Sequence, residues 1–203
     1  MKTWLIPVVV ILAGARGLWG DTLVSVDTSG LAGTAAQLAF DFIDGGPPLN
    51  TITISSFLTD GTLGGVFPSG GASGTLLGTV VLSDSDFFNE YLTDITLGSS
   101  FSFVFSATAN GPDAGSLPDA FSLFLIDPNT GLPLFGTADP SGADSLVTLN
   151  IDGSPTGALS VYSTSVKTGP PPAASAVPEP SMMWMLGVGL VPLLRRARLF
   201  NAA

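Results

Sequence analysis

Cysteine and histidine are both missing from this 203-residue chain. Without cysteine there is no thiol nucleophile, no disulfide staple and no thiolate metal site. Without histidine there is no Ser-His-Asp triad, and with neither residue there is no zinc finger and no haem held by His or Cys. Charge is scarce as well: charged residues make up 11%, against about a quarter in ordinary domains. Basic residues are the scarcest group. Lys2, Arg16, Lys167, Arg195, Arg196 and Arg198 are all of them, and none falls between positions 21 and 166. That stretch holds 15 of the 16 acids, 14 Asp and Glu90, so its net charge is −15 with no cation inside it. Nucleic-acid binding needs Lys and Arg to neutralise phosphates and is excluded as a function. Tryptophan is absent from the same stretch and occurs only as Trp4, Trp19 and Trp184.

What remains is a chain of three compositions. The start is Met1-Lys2-Thr3-Trp4 followed by an apolar run over 5–15. A positive start, a short apolar stretch and small residues behind it describe a secretory signal peptide over residues 1–20. Cleavage fits after Ala15, following the small-x-small rule, or after Gly20, where the composition changes. Its partners are the Sec translocon and signal peptidase.

The far end begins with a linker over 167–180 that carries Pro170, Pro171, Pro172, Pro178 and Pro180. Such spacing excludes helix and central strand and gives a semi-rigid, polyproline-like spacer. Residues 181–194 then run without a charge, and Arg195, Arg196 and Arg198 follow. As a short apolar helix, 181–194 spans roughly 21 Å, less than the ~30 Å hydrocarbon core. Gly187, Gly189 and Pro192 weaken it further. A single weak C-terminal transmembrane anchor is the physical expectation, with the arginines on the cytoplasmic side.

These residues carry a resemblance. Val177-Pro178-Glu179-Pro180-Ser181, an apolar run and a terminal arginine cluster resemble the PEP-CTERM sorting signal of Gram-negative bacteria. The resemblance covers about residues 177–203. It implies recognition of Pro178, Glu179 and Pro180 by exosortase, a membrane-embedded cysteine transpeptidase. It gives Arg195, Arg196 and Arg198 the stop-transfer role. It further implies transient residence in the inner membrane, removal of the anchor, and release to the cell surface or the exopolysaccharide and biofilm matrix. Asp27-Thr28-Ser29-Gly30, followed by 36–42, is similar to a recurrent body type among such proteins, one with no assigned activity.

Between 21 and 166 the dominant period is two. Leu38, Phe40 and Phe42, then Ile52 and Ile54, then Phe101, Phe103 and Phe105 alternate with smaller or polar residues. Phe121, Leu123 and Leu125, Val147, Leu149 and Ile151, and Leu159 and Val161 do the same. These are short β-strands. Further strand candidates are 22–27, 75–82 and 132–136. The Gly- and Ser-rich stretch 61–74 reads as a mobile loop, and 83–92 as a short helix or turn capped by Ser83 or Asp84. Nine or ten strands without a long helix predict an all-β antiparallel sandwich, with a jelly roll as one arrangement.

No catalytic site is legible, and the expectation is a protein that is not an enzyme. A glycosidase needs two chosen carboxylates, and fifteen acids give no basis for choosing. Most aspartates sit in turn sequences, where the side chain caps its own turn. The one cofactor worth testing is Ca²⁺, which takes several oxygens from carboxylates and carbonyls. Its candidate ligands are Asp84, Asp86, Asp127 and Asp139. The functional expectation is an exported surface or matrix protein with a structural or adhesive role. The alternative is a Ca²⁺-assisted, lectin-like carbohydrate-binding module, for which Phe87, Phe88 and Tyr91 would be a platform if exposed; the expectation is that they pack inside.

Overall fold

A computed structural model describes residues 20–154, 158–169 and 171. The expected signal peptide, the Pro-Glu-Pro motif, the apolar run and the arginine cluster lie outside them.

Among the described residues, twelve strands form two six-stranded antiparallel sheets. They are β1 (Thr22–Asp27), β2 (Ala35–Ile43), β3 (Thr51–Thr59), β4 (Thr62–Ser69), β5 (Gly71–Gly74), β6 (Thr79–Ser83), β7 (Phe88–Thr96), β8 (Ser100–Ala107), β9 (Asp119–Ile126), β10 (Val147–Ile151), β11 (Ala158–Val161) and β12 (Val166–Gly169). One sheet runs β12-β1-β8-β3-β6-β5 and the other β11-β10-β9-β2-β7-β4. No helix longer than the single 3₁₀ turn Ser29–Leu31 occurs among the described residues.

Period two is what makes these sheets face each other. Each strand sends alternate residues to one side, and the inner sides carry the aromatic residues. Phe40 and Phe42 of β2, Phe101, Phe103 and Phe105 of β8 and Phe121 of β9 are all fully buried. The sheets meet through aromatic pairs. Phe40 touches Phe103 edge to face with centroids 5.2 Å apart, and Phe105 tilts against Phe121 at 5.8 Å. Such pairs are worth ~0.5–1.5 kcal/mol each beyond the area they bury.

Three expectations are corrected. Residues 61–74 are not a loop but the edge strands β4 and β5. Glycine marks the irregularity rather than the absence of a strand: β4 slips register against β7 between Leu63 and Val66, at Gly64 and Gly65. Pro68 is tolerated because β4 closes its sheet as an edge strand. Of the short helix or turn expected over 83–92, the turn is present after Ser83, but from Phe88 the chain is strand β7. Its inward residues are Asn89, Tyr91, Thr93 and Ile95, all buried. Two of these are polar, and that masks the apolar alternation. Residues 132–136 form no strand and contribute one isolated bridge, Pro133 with Ile126.

Candidate metal centre

The register of the sheets fixes which chain ends meet. Ile43 at the end of β2 pairs with Ala120 at the start of β9. In the opposite sheet Ser83, at the end of β6, pairs with Thr51 at the start of β3. Aspartates stand at three of these strand ends. Asp44 follows β2, Asp84 follows β6 and Asp119 opens β9. All three thus converge at one pole of the sandwich. One carboxylate oxygen from each lies within 4.8 Å of those of the other two.

Asn50 is the hub that holds them. Its backbone N–H donates to Asp84 Oδ2 and its side-chain Nδ2 donates to Asp119 Oδ2, the latter at 2.6 Å. Asn50 Nδ2 also reaches the Asn110 carbonyl at 2.9 Å. Asn50 Oδ1 in turn accepts from the Thr108 hydroxyl at 2.7 Å and the Asn110 N–H at 3.0 Å. The loop Gly45–Gly46 adds backbone donors. Gly45 N–H donates to Asp119 Oδ1 and Gly46 N–H to Asp44 Oδ1, each at 2.7 Å. A Cβ on Gly45 would stand 2.2 Å from the Leu117 carbonyl oxygen, so this loop lies flush against the segment that precedes β9.

Asp84 is the unusual member. It is 1% exposed, and its Oδ1 is buried without a hydrogen-bond partner. Asp119 is 2% exposed, while Asp44 is half-buried at the rim. Burial pushes the Asp84 carboxyl up to about 6. The Asn50 N–H opposes that rise; the charge of Asp119, a proton-sharing contact with it, and the charge of Asp44 add to it. Carboxylates this close either share a proton or share a cation. The only basic side chain among the described residues is Lys167, exposed on β12. No described residue thus supplies a cation to this cluster.

Of the four residues expected from sequence, Asp84 alone enters the cluster. Asp86 sits exposed in the following turn, where its carbonyl accepts from Asn89 Nδ2 at 2.6 Å. Asp127 caps its own turn, accepting from the Asn129 N–H at 2.9 Å, and that bond holds its carboxyl below the usual range. Asp139 is capped twice over, Oδ1 by the Ser141 N–H and hydroxyl and Oδ2 by those of Ser145. Burial tends to raise Asp139, but the bonds from Ser145 and Ser141 outweigh it and hold it at about 2. Asp44 and Asp119 were not singled out by the sequence. No spacing rule links residues so far apart, and the only local signal is the Asp44-Gly45-Gly46 turn.

A second acidic pair lies on the outer face of the other sheet. Asp41 of β2 stands opposite Glu90 of β7. Burial first, then the charge and hydrogen bonding of Glu90, push Asp41 up to about 7. Burial also raises Glu90, against a hydrogen bond from Asp41. Two surface hollows, one beside Asp94 and Leu63 and one beside Asp27 and Phe135, contain a single carboxylate each. The expectation that Phe87, Phe88 and Tyr91 pack inside holds for Tyr91 alone: Phe88 is exposed and Phe87 is 74% exposed. Phe87 adjoins the cluster, because its carbonyl accepts from the Asp44 N–H at 3.1 Å.

No family model, no curated protein and no solved structure matches this chain.

Proposed function

We propose that this chain is an exported, non-catalytic β-sandwich displayed at the cell surface or in an exopolysaccharide matrix, sorted by a PEP-CTERM signal and cut by exosortase. One observation carries the reading. The last strand, β12, ends at Gly169, immediately before the prolines of the linker. Every strand among the described residues therefore lies upstream of Pro178-Glu179-Pro180, and cleavage beyond that motif removes none of them. The order β1-β8-β3-β6 facing β2-β7-β4 supports a jelly-roll reading of the sandwich, a frame for display and binding modules. The role is structural or adhesive.

Mass spectrometry of the exported protein tests this. Peptides from the sandwich should be recovered, and none containing Arg195, Arg196 or Arg198. Glu179→Ala should leave the anchor attached. An intact C-terminus on most of the exported protein would refute the sorting reading.

One observation favours a second reading, a Ca²⁺-assisted carbohydrate-binding module. Phe87 and Leu117, both strongly exposed, flank the acidic cluster through the backbone bonds Asp44 N–H to Phe87 and Leu117 N–H to Gly45. Retention on immobilised polysaccharide that is lost in chelator would promote it.

A further inference from the structure

The geometry points to a Ca²⁺ site formed by Asp44, Asp84 and Asp119, which ties the two sheets together at one pole of the sandwich. Acidic residues near one another are common and bind nothing. Here a separate feature asks for a ligand: Asp84 Oδ1, buried in a residue only 1% exposed, has no donor. Its sister oxygen is already bonded to the Asn50 N–H. A carboxylate oxygen left this way, beside two other carboxylates and with no basic side chain among its partners, is placed to take a cation.

Size and donor chemistry select the ion. Every donor is a hard oxygen, which favours Ca²⁺ or Mg²⁺ over softer metals. Oxygens bound to one Ca²⁺ at ~2.3–2.6 Å stand at most ~5 Å apart, and around Mg²⁺ at ~2.0–2.1 Å at most ~4.2 Å. The three oxygens, all within 4.8 Å of one another, fit inside the Ca²⁺ shell. Three carboxylates provide three to six oxygens, and water completes the 6–8 that Ca²⁺ takes. Mg²⁺ demands a tight octahedron and gives up its waters reluctantly.

The architecture gives the ion a mechanical role. Asp84 belongs to the end of β6, in one sheet. Asp44 and Asp119 belong to β2 and β9, neighbours in the other. A shared ion links the layers where the chain has no cysteine for a disulfide and no described basic side chain joins the cluster in an ion pair. Extracellular modules bind Ca²⁺ with dissociation constants of ~10⁻⁴–10⁻³ M. The clamp would then be loose in the calcium-poor cytoplasm and closed outside. That last step rests on the export reading; the site itself does not.

The test is calcium titration of the purified full chain, stripped with chelator, by calorimetry and thermal denaturation. One Ca²⁺ should bind per chain, and the melting temperature should rise by several degrees in CaCl₂ relative to MgCl₂ at equal ionic strength. Asp84→Asn keeps the shape and removes the charge, and should abolish saturable binding. Asp44→Asn is the safer variant, because Asp44 sits at the rim and its side chain bonds only its own loop. It should fold normally and weaken binding at least ~10-fold. Asp127→Asn should change nothing. No saturable binding up to ~10 mM, equal shifts with both salts, or unchanged affinity in Asp44→Asn would each overturn the site. None of these outcomes depends on where the protein is sorted.

Discussion

Replacing Asp41 by Asn should stabilise this protein, and the gain should grow with pH. Asp41 faces outward from β2 but is largely covered, with Glu90 opposite on β7 and Ser122 opposite on β9. Further along the same strands, Gln37 and Asp94 are bonded to each other at 2.8 Å. No cation among the described residues faces the site. Its carboxyl is raised from 3.8 to about 7 in the folded protein. The folded state therefore holds a proton that the unfolded state has released between those two values. Stability falls as pH rises through that window, and the full cost is present above pH 7. Three pH units at ~1.36 kcal/mol each set a ceiling of ~4 kcal/mol. Relaxation of the outer face and water around Glu90 reduce this to roughly 2 kcal/mol.

The amide introduced by Asp41→Asn has no proton to lose. The difference in stability between variant and wild type should be small near pH 4 and reach ~2 kcal/mol at pH 8. For a domain of this size that is about 4–8 °C in melting temperature. Titrating groups not coupled to Asp41, Asp84 at about 6 among them, act in both proteins and cancel in the difference. The assay is thermal denaturation of the two proteins from pH 4 to pH 8 at fixed ionic strength in chelator. A difference that stays flat across the range would refute the proton-sharing account. A variant less stable at every pH would show that the amide is poorly accommodated, and Asp41→Ser would then carry the same comparison.

Two substitutions probe the frame itself. Asn50→Ala removes the donor to Asp119 and the acceptor for Thr108 and Asn110; leaving those buried groups unpaired should cost ~2–4 kcal/mol by denaturant titration. Phe103→Ala opens a cavity where the sheets meet and should cost ~3–5 kcal/mol, with a loss under ~1 kcal/mol showing that the Phe40 contact at 5.2 Å does not hold the layers together.

The two-sheet, antiparallel character of the fold was legible because the inner faces are aromatic. Wherever Phe alternates with Ser, as over 101–105, period two is unmistakable, and β8 lies there. The misread stretches are those where the physics that makes a strand differs from the physics that marks one. In β4, backbone pairing to β7 continues through glycine and proline, which tolerate an edge but carry no alternating signal. In β7 the inward positions include Asn89, whose side chain bonds the Phe42 and Asp86 carbonyls and the Gly71 N–H. A buried polar residue with its partners satisfied packs as well as an apolar one, yet it breaks the pattern that a sequence shows. The acidic cluster was legible only at Asp84. Its other members come from strand ends that meet because β2 pairs with β9 and because β6 belongs to the facing sheet. Strand order is a long-range property that local periodicity does not contain.

A body with fifteen acids and no internal cation has few ways to accommodate a carboxylate that it buries. Backbone and hydroxyl donors are one, as in half-buried Asp139 between Ser141 and Ser145. Retaining the proton is another, as in Asp41 beside Glu90. Neither suffices for the cluster. Asp119 uses both oxygens on Gly45 and Asn50, Asp44 spends one on Gly46, and Asp84 keeps one that no donor reaches. One shared proton leaves two of three charges in place. A divalent ion neutralises two at once and bonds to all three groups. The absence of lysine and arginine from the body, which first reads as a mere lack of salt bridges, thus becomes an argument about the third way: the missing positive charge at this pole comes from solution.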